Sequence, residues 1–307
     1  MPTLAMREPM SEADALTLLE TCSNRGRWGE EDQRGTLNLI SVEKRIRSAQ
    51  LVKQGVVVPI GRDIDTTASP KNYLPAIHRM LYVSHEDPVG CVDTFEIAPH
   101  GYAVTHLDAI GHVYFEGSMY NGRSPSEKAK ADGLHWASIS ALAEGIFTRG
   151  VLLDIAAVRG KSWLDEDEYI WPEDLDDAER RAGVTVEPGD VIFVHTGLEA
   201  RERALGSEDP SRRAGLSADC IPWLFQRDIA AYSGDCIERV PHPYSRLISP
   251  LHMVGMVAMG LVMLDSPRTE RIVNACTTFA RSEFLVTCAP WVAPLGTGSP
   301  VNPLCIF

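Results

Sequence analysis

The sequence is short of several things, and each shortage narrows the field. No apolar run reaches the roughly 18 residues that a membrane helix needs. The nearest stretch, Met253 to Leu264, is 12 residues long and is interrupted by Gly255 and Gly260. The opening residues Met1 to Glu8 lack the apolar core of a secretion signal. No pair of cysteines is spaced C-x-x-C, and the seven that exist (Cys22, Cys91, Cys220, Cys236, Cys276, Cys288, Cys305) are odd in number and scattered. That pattern points to reduced thiols and a cytoplasmic protein. Positive charge is scarce: Lys and Arg total 29 against 42 Asp and Glu, a net charge of -13. A phosphate backbone would be repelled, so nucleic acid is set aside as a partner. Internal repeats and low-complexity linkers are also missing.

What is present is a chain of 307 residues that is 44% hydrophobic, enough for a core without disulfides. One domain over 1-307 is the simplest reading, with a helical N-terminal extension over about 1-55. A capped helix is expected over 11-22 with Ser11 as N-cap, and a turn and helix over 36-53 with Ser41 as cap. Residues 61-90 are rich in Pro, Asp and Ser and read as a long surface loop. Strands are expected at 56-60, within 92-104, and at 150-155, 191-195, 229-233 and 284-289. Helices are expected at 137-144, 172-182, 222-226 and 253-262. Strands and helices alternate in the second half, which suggests an α/β domain with mixed sheets.

Of nine histidines, three fall within 13 residues together with an aspartate: His100, His106, Asp108 and His112. On an extended segment, residues two apart share a face. His106 and Asp108 would therefore project together and could close on one ion at about 2.0-2.2 Å. Imidazole and carboxylate together suit Zn²⁺ or Mn²⁺, whereas Ca²⁺ would want more oxygens. Gly111 would let the chain bend, so that His112 faces the cluster as a base or as another ligand. The alternative is a set of histidines satisfied by backbone groups.

The stretch Pro99-His100-Gly101-Tyr102-Ala103-Val104-Thr105-His106-Leu107-Asp108-Ala109-Ile110-Gly111-His112 resembles the signature H-x-G-T-H-x-D-x-P-x-H of the metal-dependent cyclase family, which includes kynurenine formamidases and isatin hydrolases. Thr105, His106, Asp108 and His112 match in order and spacing. Further segments resemble its longer subgroup: Arg27-Trp28-Gly29, Gly35-Thr36-Leu37-Asn38, Met119-Tyr120-Asn121-Gly122, Pro188-Gly189-Asp190, Thr196-Gly197, Leu251-His252, Met263-Leu264-Asp265, and the run from Gly296 to Pro303.

The resemblance implies a swivelling β/β/α fold and a divalent metal, Mn²⁺ or Zn²⁺. It also implies hydrolysis of a C-N bond in a small amide or lactam, and a homodimer or homotetramer with each site near an interface. It assigns His106 and Asp108 to the metal and His112 to acid/base work. His252 matches a late histidine that completes the metal site. Asp265 is the nearest counterpart of an acidic ligand, one position out of step. Trp28, Asn38, Tyr102 and His242 are candidates for the substrate side.

Three positions depart from the pattern. Tyr102 stands where the first histidine falls, Val104 replaces the glycine and Ile110 the proline. Either His100 takes the place of the first ligand through a local backbone shift, or the site has one ligand fewer. Two rival readings follow: a cyclase or dehydratase using the same site, and a binding protein that has lost its metal.

Overall fold

Strands whose two faces are both apolar have to be covered on both sides, and the centre of this chain follows that rule. The computed structural model describes residues 7-83, 90-207 and 209-307. Within them a nine-stranded mixed sheet runs through the molecule. Its strands are β1 (Val57–Pro59), β4 (His106–Asp108), β5 (Ile146–Asp154), β6 (Val191–His195), β7 (Ala231–Gly234), β8 (Val262–Asp265), β9 (Glu283–Cys288), β10 (Gly298–Pro300) and β11 (Leu304–Ile306). The hairpin of β2 (Ile77–Val83) and β3 (Cys91–Glu96) stands apart. The order across the sheet is β1-β11-β9-β5-β6-β7-β8-β4-β10. Strands β5 to β8 are parallel neighbours, and β4 enters antiparallel to both β8 and β10.

Side chains two apart share a face, and the two cores show it. Val151 and Leu153 of β5 and Ile192 and Val194 of β6 join one core. Leu152, Val191 and Phe193 join the other. The first core is closed by the helices Glu12–Thr21, Pro172–Ala182, Ile221–Gln226 and Pro250–Val254. Helix Thr269–Phe279 and the turn Gly35–Leu39 close the second through Ile272, Ala275 and Leu37. Met256, Met259 and Met263 are buried in the first core, with Met253 packed against it.

Several helix ends follow from single residues. Ser11 and Ser41 accept from Asp14 and Lys44 backbone N-H groups at their helix starts. Gly183, at φ 66°, ends Pro172–Ala182 in the left-handed conformation that glycine adopts at little cost. Asp235, buried at the end of β7, accepts from the backbone N-H groups of Thr196, Gly197 and Leu198. It thereby caps the helix Leu198–Leu205.

Three expectations are corrected. The stretch 61-90 is not one loop: β2 occupies Ile77–Val83, and the remainder at 84-89 lies outside the described residues, as does the opening segment 1-6. Residues 137-144 hold only a short 3-10 turn over Ile139–Leu142. The helix expected over 253-262 is a helix Pro250–Val254 followed by a π turn over Gly255–Met259. Gly260, at φ 62°, stops it, and Val262 begins β8. No helix among the described residues is long and apolar enough to cross a membrane.

Candidate metal centre

Strand β4 carries the centre, and its extended backbone turns His106 and Asp108 to the same side. His106 Nε2 lies 3.4 Å from Asp108 Oδ1. In the ladder with β8, His106 stands directly opposite Asp265, so a residue 159 positions away becomes its cross-strand neighbour. His106 Nε2 and Asp265 Oδ2 are 4.0 Å apart. On the other side of β4, Asp108 faces Gly298. A Cβ at Gly298 would sit 2.8 Å from the ring of His100, so the bare glycine leaves the space that His100 fills. His100 Nδ1 is 2.9 Å from Asp108 Oδ1, and its Nε2 is 3.0 Å from the Thr297 hydroxyl.

The 3-10 turn Ile110–His112 brings His112 back over the strand. Gly111 packs against the backbone there, since a Cβ would lie 2.2 Å from the Trp136 carbonyl oxygen. The His112 ring stacks on His100 with centroids 4.4 Å apart, and its Nε2 is 3.2 Å from Asp108 Oδ2. From the opposite side, helix Pro250–Val254 contributes His252. Its Nε2 is 3.3 Å from Asp265 Oδ2 and 3.9 Å from Asp108 Oδ2. The other nitrogen, Nδ1, lies 2.6 Å from Glu238 Oε1.

Three buried carboxylates dominate the electrostatics: Asp108 and Asp265 in the cluster and Glu238 behind His252. Burial pushes the His106 pKa down, but the adjacent Asp108 charge, aided by Asp265, outweighs it and raises the value from 6.5 to about 9. Burial likewise opposes the charge on Asp108, yet His112 and His106 hold its carboxyl well below the usual range. Burial lowers and Asp265 with Glu238 raise the His252 pKa, and the carboxylates win.

Polar atoms buried without partners are rare in folded proteins. Here Asp108 Oδ1, Asp265 Oδ1 and His112 Nε2 are all buried with no aligned hydrogen-bond partner among the described residues. The ligand atoms of His100, Asp108 and His112 lie within 4.8 Å of one another, as do those of His106, Asp108 and Asp265. Carboxylate oxygens and imidazole nitrogens that face one another without aligned hydrogen bonds form a donor set that fits a divalent cation.

An open cavity of about 380 Å³ exposes this cluster. Its other walls are Tyr73, Tyr102, Val113, Ile248, Ser249 and Met253. Tyr102, at the first-ligand position of the signature, lines the wall with its ring under the Arg213 guanidinium, 4.3 Å away. His100 is the imidazole that reaches the cluster. Trp28 and Asn38 lie away from the cavity: Trp28 stacks under Arg27, and Asn38 donates to Asp32 and to the Gly35 carbonyl. His242 does not line the cavity, but its Nε2 is 2.6 Å from the carbonyl of Ile248, which does. His195, buried beneath, pairs with the Thr269 hydroxyl at 2.7 Å. The sequence does not single out Glu238, and Thr297 enters only within the run from Gly296 to Pro303, with no role at the site. Neither has a periodic relation to the histidine it touches, so only the tertiary fold reveals them.

Known structures share this architecture. A crystal structure described as a novel cyclase is 25% identical, with a TM-score of 0.85, covering 94% of this chain and 99% of its own. Isatin hydrolase A from Ralstonia solanacearum is 19% identical, with a TM-score of 0.57 over 81% of this chain and 90% of its own. An isatin hydrolase bound to the product analogue thioisatinate is 16% identical, with a TM-score of 0.59 over 96% of this chain and 98% of its own. No curated protein matches the chain. The fold is thus the mixed α/β fold of the first of these, and a family model described as a putative cyclase matches residues 58-238. With more than half of its length covered by that match, the chain belongs to the putative cyclase family.

Proposed function

We propose that the protein is a metal-dependent hydrolase that cleaves the C-N bond of a small amide or lactam. The observation that carries this reading is the set of orphaned buried atoms on Asp108, Asp265 and His112, turned into one cavity. His106, Asp108, Asp265 and His252 would hold the cation, with His100 in place of the histidine that Tyr102 displaces. Bound there, Zn²⁺ or Mn²⁺ supplies Lewis acidity, lowering the pKa of water toward about 7 and stabilising the developing oxyanion.

The chain's own groups perform the proton transfers. His112 takes a proton from the attacking water and returns it to the leaving nitrogen as the C-N bond breaks and the C-O bond forms. Its ring is kept in place by the stack on His100, and Asp108 steadies the proton it acquires. Tyr73, Tyr102, Val113, Ile248 and Met253 give the cavity aromatic and aliphatic walls, which suits a small planar ring. The isatin hydrolases of similar fold support the lactam class.

A second reading, ring closure with loss of water at the same site, is favoured by the structure described as a novel cyclase. The test is a screen of formyl-amides, isatin-like lactams and cyclic imides with chelator-treated protein, before and after adding Mn²⁺ or Zn²⁺. A product heavier by one water supports hydrolysis, and one lighter by a water supports ring closure. His112→Ala is expected to lower kcat by roughly 10²- to 10⁴-fold. Protein that takes up no stoichiometric cation, or that loses none in His106→Ala, would overturn the proposal.

A further inference from the structure

Glu238 lies 14 positions before His252 and outside the signature segments, yet it is buried against that histidine. We infer that Glu238 is a positioning residue that fixes the His252 tautomer, so that its Nε2 presents a lone pair to a cation held with Asp108 and Asp265. The inference rests on the metal reading above.

Two donors converge on this one carboxylate. Oε1 lies 2.6 Å from His252 Nδ1, and Oε2 accepts from the Leu251 backbone N-H at 2.7 Å. An ionised carboxylate only accepts, so Nδ1 has to carry the hydrogen. In the neutral ring Nε2 is then bare, and it points to Asp265 Oδ2 at 3.3 Å and Asp108 Oδ2 at 3.9 Å. Metal-binding histidines characteristically give their second N-H to such a partner.

The backbone around Glu238 is built to hold this aim. Leu216 N-H donates to the Ile237 carbonyl, Arg239 N-H donates to the Leu216 carbonyl, and Arg213 and Val240 exchange a pair of bonds on the same edge. Gly215 lies flat against it, since a Cβ there would come within 2.3 Å of the Glu238 carbonyl carbon. The carboxylate therefore cannot drift without unpicking that edge. The same contact with Leu251 ties it to the first turn of the helix that carries His252.

Glu238→Gln separates this role from mere packing. A glutamine has one oxygen and one NH₂ group, so it can accept from only one of the two donors. If the oxygen stays with Leu251, the amide N-H₂ faces Nδ1, and the hydrogen moves to Nε2, where it blocks the cation.

The experiment is calorimetric titration of Zn²⁺ and of Mn²⁺ into chelator-treated full-length protein. The chains compared are wild type, Glu238→Gln, His252→Ala and the double variant, with melting curves confirming the fold of each. Glu238→Gln is expected to bind roughly 10- to 100-fold more weakly. In the His252→Ala background the same change should cost almost nothing, because the ring it orients is gone. Glu238→Asp, which keeps the charge but withdraws it from the ring, should weaken binding too. Wild-type affinity in Glu238→Gln, or an undiminished loss in the double variant, overturns the inference and leaves the metal reading standing. Wild-type protein that takes up no cation overturns both.

Discussion

Asp108→Asn removes one charge and almost no volume, so it isolates what the buried carboxylate does. In the cation-free protein it acts on His112 and on His106 beside it, and the effect on His106 can be followed through stability. Asp108, with Asp265, raises the His106 pKa from 6.5 to about 9 against the opposing effect of burial. That gap of about 2.5 pH units corresponds to about 3 kcal/mol in full and roughly 2.5 kcal/mol at pH 7. Because burial opposes the rise, the pushes of Asp108 and Asp265 together exceed this net gain, and losing Asp108, the larger of the two, should remove most of it, roughly 2 kcal/mol. The sign follows from the direction. A histidine whose pKa is raised by folding stabilises the protein fully below 6.5, and the contribution fades as pH rises through 9.

Urea unfolding of chelator-treated protein should therefore show Asp108→Asn less stable than wild type by roughly 2 kcal/mol near pH 6. Near pH 9.5 the difference should be much smaller. A cation at about 100 times its Kd should add about 2.7 kcal/mol to the wild type, and nothing at that concentration to the variant. An equal deficit at both pH values, or the same gain on adding cation, would refute the account of Asp108 as the shared counter-charge.

Other outcomes can be checked more quickly. Gly111→Ala would place a methyl group 2.2 Å from the Trp136 carbonyl oxygen, so the turn must shift and carry His112 with it. Turnover should fall at least tenfold while the circular dichroism spectrum is kept; wild-type turnover would show that the turn tolerates the change. Tyr102→His restores the residue usual in the signature, but the Tyr102 ring sits under Arg213 rather than in the cluster. Calorimetry should find no tighter cation binding, and a tenfold gain would show that this position can still reach the ion. The hairpin β2-β3 leaves Met80, Leu81, Tyr82, Val92 and Phe95 exposed, and two strands alone are barely stable in water. A homo-oligomer that buries it should dissociate in Leu81→Glu, seen as a drop in mass by light scattering; an unchanged oligomer would place the contact elsewhere.

How far the sequence could be read depended on whether the information was local. The alternation of His106, Leu107 and Asp108 is a local pattern, and it placed both ligand types on one face before any sheet was known. The helix Pro172–Ala182 was equally plain, because Pro172 and Gly183 mark its two ends. Asp265 was nameable only by resemblance, since nothing in the sequence states that β8 lies beside β4 with Asp265 opposite His106. The choice between His100 and Tyr102 also turned on a distant residue, the glycine at 298 that makes room for the ring. The hairpin strand Ile77–Val83 was missed because its apolar residues do not alternate and both of its faces are exposed. Gly260 was legible as an interruption, but not as the point where a helix gives way to a strand.

The ladder bonds around β4 have a consequence for how the cavity can respond to its contents. Asp108 and His106 are pinned between two strands, and their side chains are only 2% exposed, whereas those of His252 and His112 are 19% and that of His100 32% exposed. The hollow thus has a shielded base and a rim that faces solvent. Whatever enters meets the rings of His100, His112 and His252 before it reaches His106 and Asp108, so the rim screens the shape of arriving molecules while the pair on β4 sets the geometry beneath.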